Sequence, residues 1–149
     1  MEHLNWARDK VSMGPEKKSK IPDEKVNWNT AVHEAGHATV AYHTAAALPL
    51  RKATIMPRGP ALGYVEQTPK DVMTNDTKAE MLARVDVCMG GKVAEELEQG
   101  SLDVTPGCSS DLDKATALVQ SMVIDGIFLL PAVVHARIRR SHVIQPKTL

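Results

Sequence analysis

Polar and apolar positions change their spacing several times along the chain, and each change marks an element. Residues 1–22 are polar and Lys-rich, are interrupted by a Gly14-Pro15 turn signal, and read as a linker or arm. From Asp23 to about Ala47 the composition shifts to Ala, Val and His without proline. Asp23 and Glu24 stand where acidic groups favour the positive end of a helix dipole, so this stretch is predicted to be the central helix, stopped by Pro49. Lys52 to Met56 and Leu62 to Gln67 lean towards strand on either side of Pro57-Arg58-Gly59-Pro60, which predicts a small hairpin or two-strand edge.

Helical spacing resumes from Thr77 to Met89, with Met81, Leu82, Val85, Cys88 and Met89 on one face. Gly90-Gly91 is a break or a close-packing point. Lys92 to Glu98 continues helically, with Val93, Ala94 and Leu97 expected inward and Glu95, Glu96 and Glu98 mostly outward, until Gly100 ends the run. After the loop Ser101 to Cys108, Ser109-Ser110 are expected N-cap residues, and Ser110 with Asp113 resembles a capping box. The following helix is expected to bury Leu112, Ala115, Leu118, Val119, Met122 and Val123 and to close at Gly126. The remainder is apolar, then basic, without amphipathic period. The predicted fold class is mainly α (α+β), a helical domain with a small two-strand β element.

A length of 149 residues suits one domain with one core. Eighteen basic side chains balance eighteen acidic ones, so no global field points to nucleic acid or an anionic surface. Aromatic residues make up only 3%, which leaves no stacking platform for single strands. Cys88 and Cys108 form no C-x-x-C pair and are too few for a disulfide framework. The apolar run Met122 to Val134 is cut by Asp125, Gly126 and Pro131, and falls short of the roughly 20 residues of a spanning helix. The charged N-terminus has no h-region of a secretory signal. The expectation is a soluble chain without a membrane span.

The chemistry is carried by His33-Glu34-Ala35-Gly36-His37. On a helix, positions i and i+4 are about 40° apart and roughly 6 Å along the axis, so the two imidazoles converge at a separation that suits two ligands of a tetrahedral zinc. Glu34 follows the first ligand directly and can reach a water without ligating the metal. Zinc lowers the pKa of water from about 15.7 to about 7, Glu34 accepts the proton as general base, and the metal stabilises the developing oxyanion. Gly36 keeps the facing surface open, although it weakens the helix by roughly 1 kcal/mol relative to Ala. A chance motif on a solvated helix is the competing reading; the Ala-rich helical context around Val32, Ala38 and Val40 weighs against it.

A catalytic zinc site of this kind needs a third protein ligand. His43 has the spacing of the extended H-E-x-x-H-x-x-G-x-x-H pattern, but the glycine position is Val40, which does not take positive φ easily. On a continuous helix His43 lies about 15 Å along the axis and about 80° around from His33, out of reach. It is assigned a solvent-facing or packing role. The acidic candidates are Glu66, Glu95, Glu96 and Asp111. Glu95 and Glu96 belong to a charge run of the kind that is usually a solvated face. Asp111, at the start of a helix, is well placed to ligate, but a simple helix-dipole aspartate explains it equally.

Five ordered segments, DKVSMGPEKKSK, TAVHEAGHATVAYHT, KATIMPRGPALGYV, LARVDVCMGGKVAEEL and SSDLDKATALVQSMV, together resemble the FtsH-type membrane AAA proteases, especially their i-AAA-like organellar branch, over about Asp9 to Val123. The resemblance implies a mainly helical zinc metalloendopeptidase domain, with His33, His37 and Asp111 as metal ligands and Glu34 as the catalytic glutamate. It implies that an unfolded or membrane-associated polypeptide is held along the strands at Ala53–Met56 and Leu62–Glu66 by strand addition. It also implies association with itself or with full-length AAA protease subunits, in a mitochondrion or chloroplast. The expected division is residues 1–22 as an arm from an ATPase module, 23–126 as the peptidase domain, and 127–149 as an atypical tail. No G-x-x-x-x-G-K-[ST] occurs in the chain, Thr105-Pro106-Gly107-Cys108 replaces the family's T-S-G-A-like loop and brings a thiol near the proposed metal, and the tail has no family pattern. A fragment that acts only by association with full-length subunits is the alternative.

Overall fold

The computed structural model describes residues 2–17, 19, 23–70 and 75–125; the expected tail at 127–149 and the proposed stop at Gly126 lie outside them. The chain order is α1 (Glu2–Met13), α2 (Glu24–His43), β1 (Leu50–Thr54), β2 (Tyr64–Gln67), α3 (Lys78–Gln99) and α4 (Ser109–Ile124). The architecture is mainly helical with one small antiparallel strand pair, as the spacing predicted. α2 lies against α3, α3 against α4, and the strand pair flanks α2.

The central helix is shorter than expected. It ends where Thr44 takes an extended conformation (φ −92°, ψ 110°), five residues before Pro49. The chain must reverse there, because Thr68 N–H donates to the Pro49 carbonyl and the Gln67 amide to the Leu48 carbonyl, which ties the entry of β1 to the exit of β2. β1 and β2 pair Lys52 with Glu66, Ala53 with Val65 and Thr54 with Tyr64, with a register irregularity between Leu50 and Lys52. The Pro57–Pro60 cluster turns between them, closed by the reciprocal Arg58 and Ala61 backbone bonds.

α3 runs unbroken through Gly90-Gly91, so the glycine pair is a close-packing point. Thr77 caps it with a full capping box: its hydroxyl accepts from Glu80 N–H, and the Glu80 carboxylate accepts from Thr77 N–H at 2.7 Å. Gly100 ends the helix at φ 89°, where a side chain would be strained. Its inward face differs from the expected one. Val93 and Leu97 are exposed and Glu95 is buried, because α2 approaches the face that carries Gly90, Gly91 and Ala94.

The start of α4 also departs from expectation, since Ser110 makes no capping bond. A 3-10 turn at Pro106–Cys108 feeds straight into α4, and Thr105 caps that turn by accepting from Gly107 N–H. Pro106 stands at the first position of the turn, where a missing donor costs nothing. Ala115 and Met122 are the buried members of α4; Val119 is exposed.

Residues 2–13, expected within an arm, form helix α1, and this helix is docked. Asp9, only 4% exposed, pairs with Arg51 and Lys52 on β1, while buried Arg58 pairs with Glu16. Arg58 also donates to the Gly14 carbonyl. Among the described residues no helix is long and apolar enough to cross a membrane.

Candidate metal centre

His33 and His37 sit one turn apart on α2, and their rings meet edge to face with centroids 4.6 Å apart. Each Nδ1 is taken by the protein: His33 Nδ1 lies 2.7 Å from Glu95 Oε1, and His37 Nδ1 lies 2.6 Å from the Val87 carbonyl. A carbonyl can only accept, so His37 carries its proton on Nδ1, and the Glu95 carboxylate favours the same tautomer for His33. Both Nε2 lone pairs are thereby turned to one point, 3.0 Å from each other. Asp111 Oδ2, from the first turn of α4, closes the triangle at 3.3 Å from each nitrogen.

Three electron-rich atoms gathered in this way could hold a cation. A tetrahedron with ligands at about 2.0–2.1 Å has edges of about 3.3–3.4 Å, close to this triangle, and an N,N,O set suits zinc. His33, His37 and Asp111 thus fit a divalent metal and are the residues that could hold it. The hydrogen bond that His33 donates to Asp111, opposed by burial and reinforced by Glu95, raises His33 above the ordinary imidazole range. Burial would raise Asp111, but hydrogen bonds from His33, His37 and Lys114 outweigh it and hold the carboxyl well below its usual range. Lys114 engages the other oxygen, Oδ1, at 3.0 Å.

Glu34 is buried beside the histidines without taking part in the triangle. Burial pushes its carboxyl above the usual range, and the nearby His37 and His33 offset part of that rise. The strand pair confines it: a Cβ on Gly63 would lie 2.9 Å from Glu34 Cγ, and equally close to Thr30 Cγ2 and the Thr54 carbonyl oxygen.

Glycine also sets the helix crossing. A Cβ on Gly36 would lie 2.3 Å from the Gly90 carbonyl oxygen, so α2 and α3 touch backbone to backbone. A Cβ on Gly91 would lie 2.5 Å from His33 Cε1 and 2.6 Å from His37 Nε2, so the two rings occupy the space over that glycine.

Of the other acidic candidates, Glu66 pairs with Arg8 and Arg51, and exposed Glu96 pairs with Lys92. Glu95 is the residue that spacing placed wrongly. It is 2% exposed, and its second oxygen accepts from Thr105 N–H at 2.8 Å, so it joins α2 to the loop before α4. The Gly90-Gly91 pair carried the signal: a residue four positions after Gly91 lies on the face another helix approaches. His43 is exposed and stacks on Tyr42, away from the cluster. Cys108 is buried and bonds the Thr105 carbonyl; among the described residues it joins no metal-binding group.

Two imidazoles one turn apart on a helix, a carboxylate from a second helix and a buried glutamate between them define a helical metallopeptidase domain of the H-E-x-x-H class. The chain belongs to peptidase family M41, whose family model matches residues 20–126. It is 52% identical over 125 residues to the ATP-dependent zinc metalloprotease YME1L of Drosophila melanogaster, covering 84% of this chain and 17% of that protein. It is 50% identical over 123 residues to the Saccharomyces cerevisiae mitochondrial inner membrane i-AAA protease supercomplex subunit YME1, covering 83% and 16%. Against the chloroplastic/mitochondrial ATP-dependent zinc metalloprotease FTSH 11 of Arabidopsis thaliana it is 52% identical over 122 residues, covering 82% and 15%. The chain thus spans about one sixth of the length of these relatives.

Proposed function

We propose that this chain is a zinc-dependent endopeptidase domain that hydrolyses peptide bonds of unfolded or membrane-associated polypeptides, with His33, His37 and Asp111 holding zinc and Glu34 acting as general base. The observation that carries this reading is the convergence of Asp111 Oδ2 on both Nε2 atoms at 3.3 Å, made by residues 74 or more positions apart in sequence. When bound, zinc supplies Lewis acidity that acidifies water and polarises a peptide carbonyl.

The protein's own groups do the rest. Glu95 and the Val87 carbonyl engage the Nδ1 atoms, which orients the two rings and turns both Nε2 atoms to one point. Glu34, with a carboxyl raised by burial, takes the proton of the attacking water and returns it to the leaving amine. The two-strand sheet supports an extended substrate through main-chain hydrogen bonds, and Gly63 brings its edge against Glu34.

In this reading residues 23–126 form the peptidase domain, and the preceding arm leads towards an ATPase module of the kind named in the ATP-dependent relatives. Those relatives also support assembly with like subunits and a mitochondrial or chloroplast setting. The test is zinc content by atomic emission together with cleavage of an unfolded protein. About one zinc per chain is expected. Glu34→Gln is expected to keep the metal and lose cleavage by at least about 100-fold; equal cleavage by the variant refutes the general-base role.

A further inference from the structure

Arg58 is a cation with almost no access to water. It is 2% exposed, stands in the turn between β1 and β2, and takes its partners from the arm. Its guanidinium donates to the Gly14 carbonyl at 3.0 Å and pairs with Glu16, and Asp9 lies 3.9 Å away. The backbones are joined there too: Lys17 N–H donates to the Pro57 carbonyl at 2.9 Å, and Glu16 and Arg58 form an antiparallel bridge. The end of α1 leaves little slack, since a Cβ on Gly59 would lie 3.2 Å from the Met13 carbonyl oxygen. On its other side the turn is tied to the wall beside Glu34. Arg58 and Ala61 exchange two backbone hydrogen bonds. Two residues after Ala61 stands buried Gly63, which seats against Glu34 Cγ.

A buried guanidinium cannot lose its carboxylate and carbonyl partners and stay where it is, because an uncompensated charge in the interior is costly. If the arm leaves, Arg58 must move towards water, and the turn that it closes must open. Docking of the arm and closing of the turn are therefore one event. We propose that Arg58 is a positioning residue for the reaction: held by Asp9, Gly14 and Glu16, it locks the turn that presses Gly63 on Glu34, so the carboxylate is aligned only while the arm is docked. The proposal rests on the endopeptidase reading and adds a control over its general base. The metal ligands stand outside this control. The His33 and His37 rings are held by Glu95 and Val87 on α3, and Asp111 belongs to α4.

The experiment replaces the ionic hold by a covalent one. The Lys17–Pro57 bond flanks the Glu16–Arg58 bridge, so these two residues share no backbone hydrogen bond. Pairs of that kind have Cα atoms about 4.5 Å apart, within reach of a disulfide. The full chain carrying Glu16→Cys and Arg58→Cys, loaded with zinc, is studied reduced and oxidised. The parent, treated identically, controls for Cys88 and Cys108. Amide exchange over residues 61–64 is read by mass spectrometry, and kcat on reduced, alkylated lysozyme carrying a fluorophore. In the reduced form exchange is expected to be at least about tenfold faster than in the parent and kcat about tenfold lower, with zinc content unchanged. The disulfide is expected to return both to the parent's values. Equal exchange in the two redox forms overturns the proposal. So does a kcat that does not follow the exchange, or a reduced form that has lost its zinc. Glu16→Gln, which leaves Arg58 in place, carries the same two expectations if the double variant does not fold, and unchanged exchange and kcat there overturn the proposal. A parent that cleaves nothing refutes the endopeptidase reading instead, and the exchange contrast alone then decides whether the arm holds Gly63 in place.

Discussion

His33 and His37 each use one ring nitrogen on the protein and leave the other for a cation, and the difference lies in residues that touch no metal. Glu95 is the one with most to lose, since it is buried, bonds His33 and also fixes Thr105 three residues before Cys108 and six before Asp111. Glu95→Ala is expected to weaken zinc binding by roughly 10–100-fold, read by chelator competition. The same change at exposed Glu96 should leave affinity unaltered. A carboxylate's place in a charge run does not reveal this contrast. The spacing of His33, Glu34 and His37 was legible because one helical turn relates them. From spacing alone Asp111 stood level with a helix-dipole aspartate and the resemblance singled it out, while Glu95 was misplaced, because neither belongs to the same local geometry as the histidines.

At the scale of elements, small residues and caps decide how closely helices meet and where they begin. Gly36→Ala illustrates a contest between two effects. Alanine improves intrinsic helix stability by roughly 1 kcal/mol, but its Cβ would fall 2.3 Å from the Gly90 carbonyl oxygen, a backbone atom that cannot swing away. Overpacking of this kind typically costs about 1–3 kcal/mol, so the variant is expected to be less stable in urea titration, with zinc affinity falling as the helices part. A second contrast tests the caps. Thr77→Ala removes an occupied capping box and is expected to cost about 1 kcal/mol, while Ser110→Ala, at a position that makes no cap bond, should cost close to nothing. Sequence patterning started the helix at Thr77 without identifying its capping box, and it misread the second cap, because the 3-10 turn before α4 moves the effective cap back to Thr105.

For the molecule as a whole, the docking of α1 joins the arm to strand β1. Asp9 is held below the ordinary carboxylate range by the Lys52 hydrogen bond, with burial opposing and Arg51 assisting. A depressed folded-state value means that its contribution is present above the unfolded carboxylate pKa, about 4, and is lost as pH falls through the lower folded value. Acid is therefore expected to release α1 before the α2–α3–α4 core, seen as faster amide exchange in residues 2–13 below about pH 4. Arg58→Met should loosen the same helix at neutral pH, because Glu16 and Asp9 lose a buried partner. Protection of α1 that equals the parent's in that variant would show that the ion pairs do not hold the arm.

The sequence alone determined the helical class, the hairpin, and the three motif residues that share one turn of α2, because each depends on spacing over a few residues. What the tertiary structure decided were relations between elements: Asp111 arriving from α4, Glu95 turned inward against His33, Gly91 making room for two imidazoles, and a polar arm becoming a docked helix. Helix periodicity specifies which side chains share a face but not which neighbour that face will meet. Only packing settles that, since the free energy of a buried charge depends on the partner waiting for it.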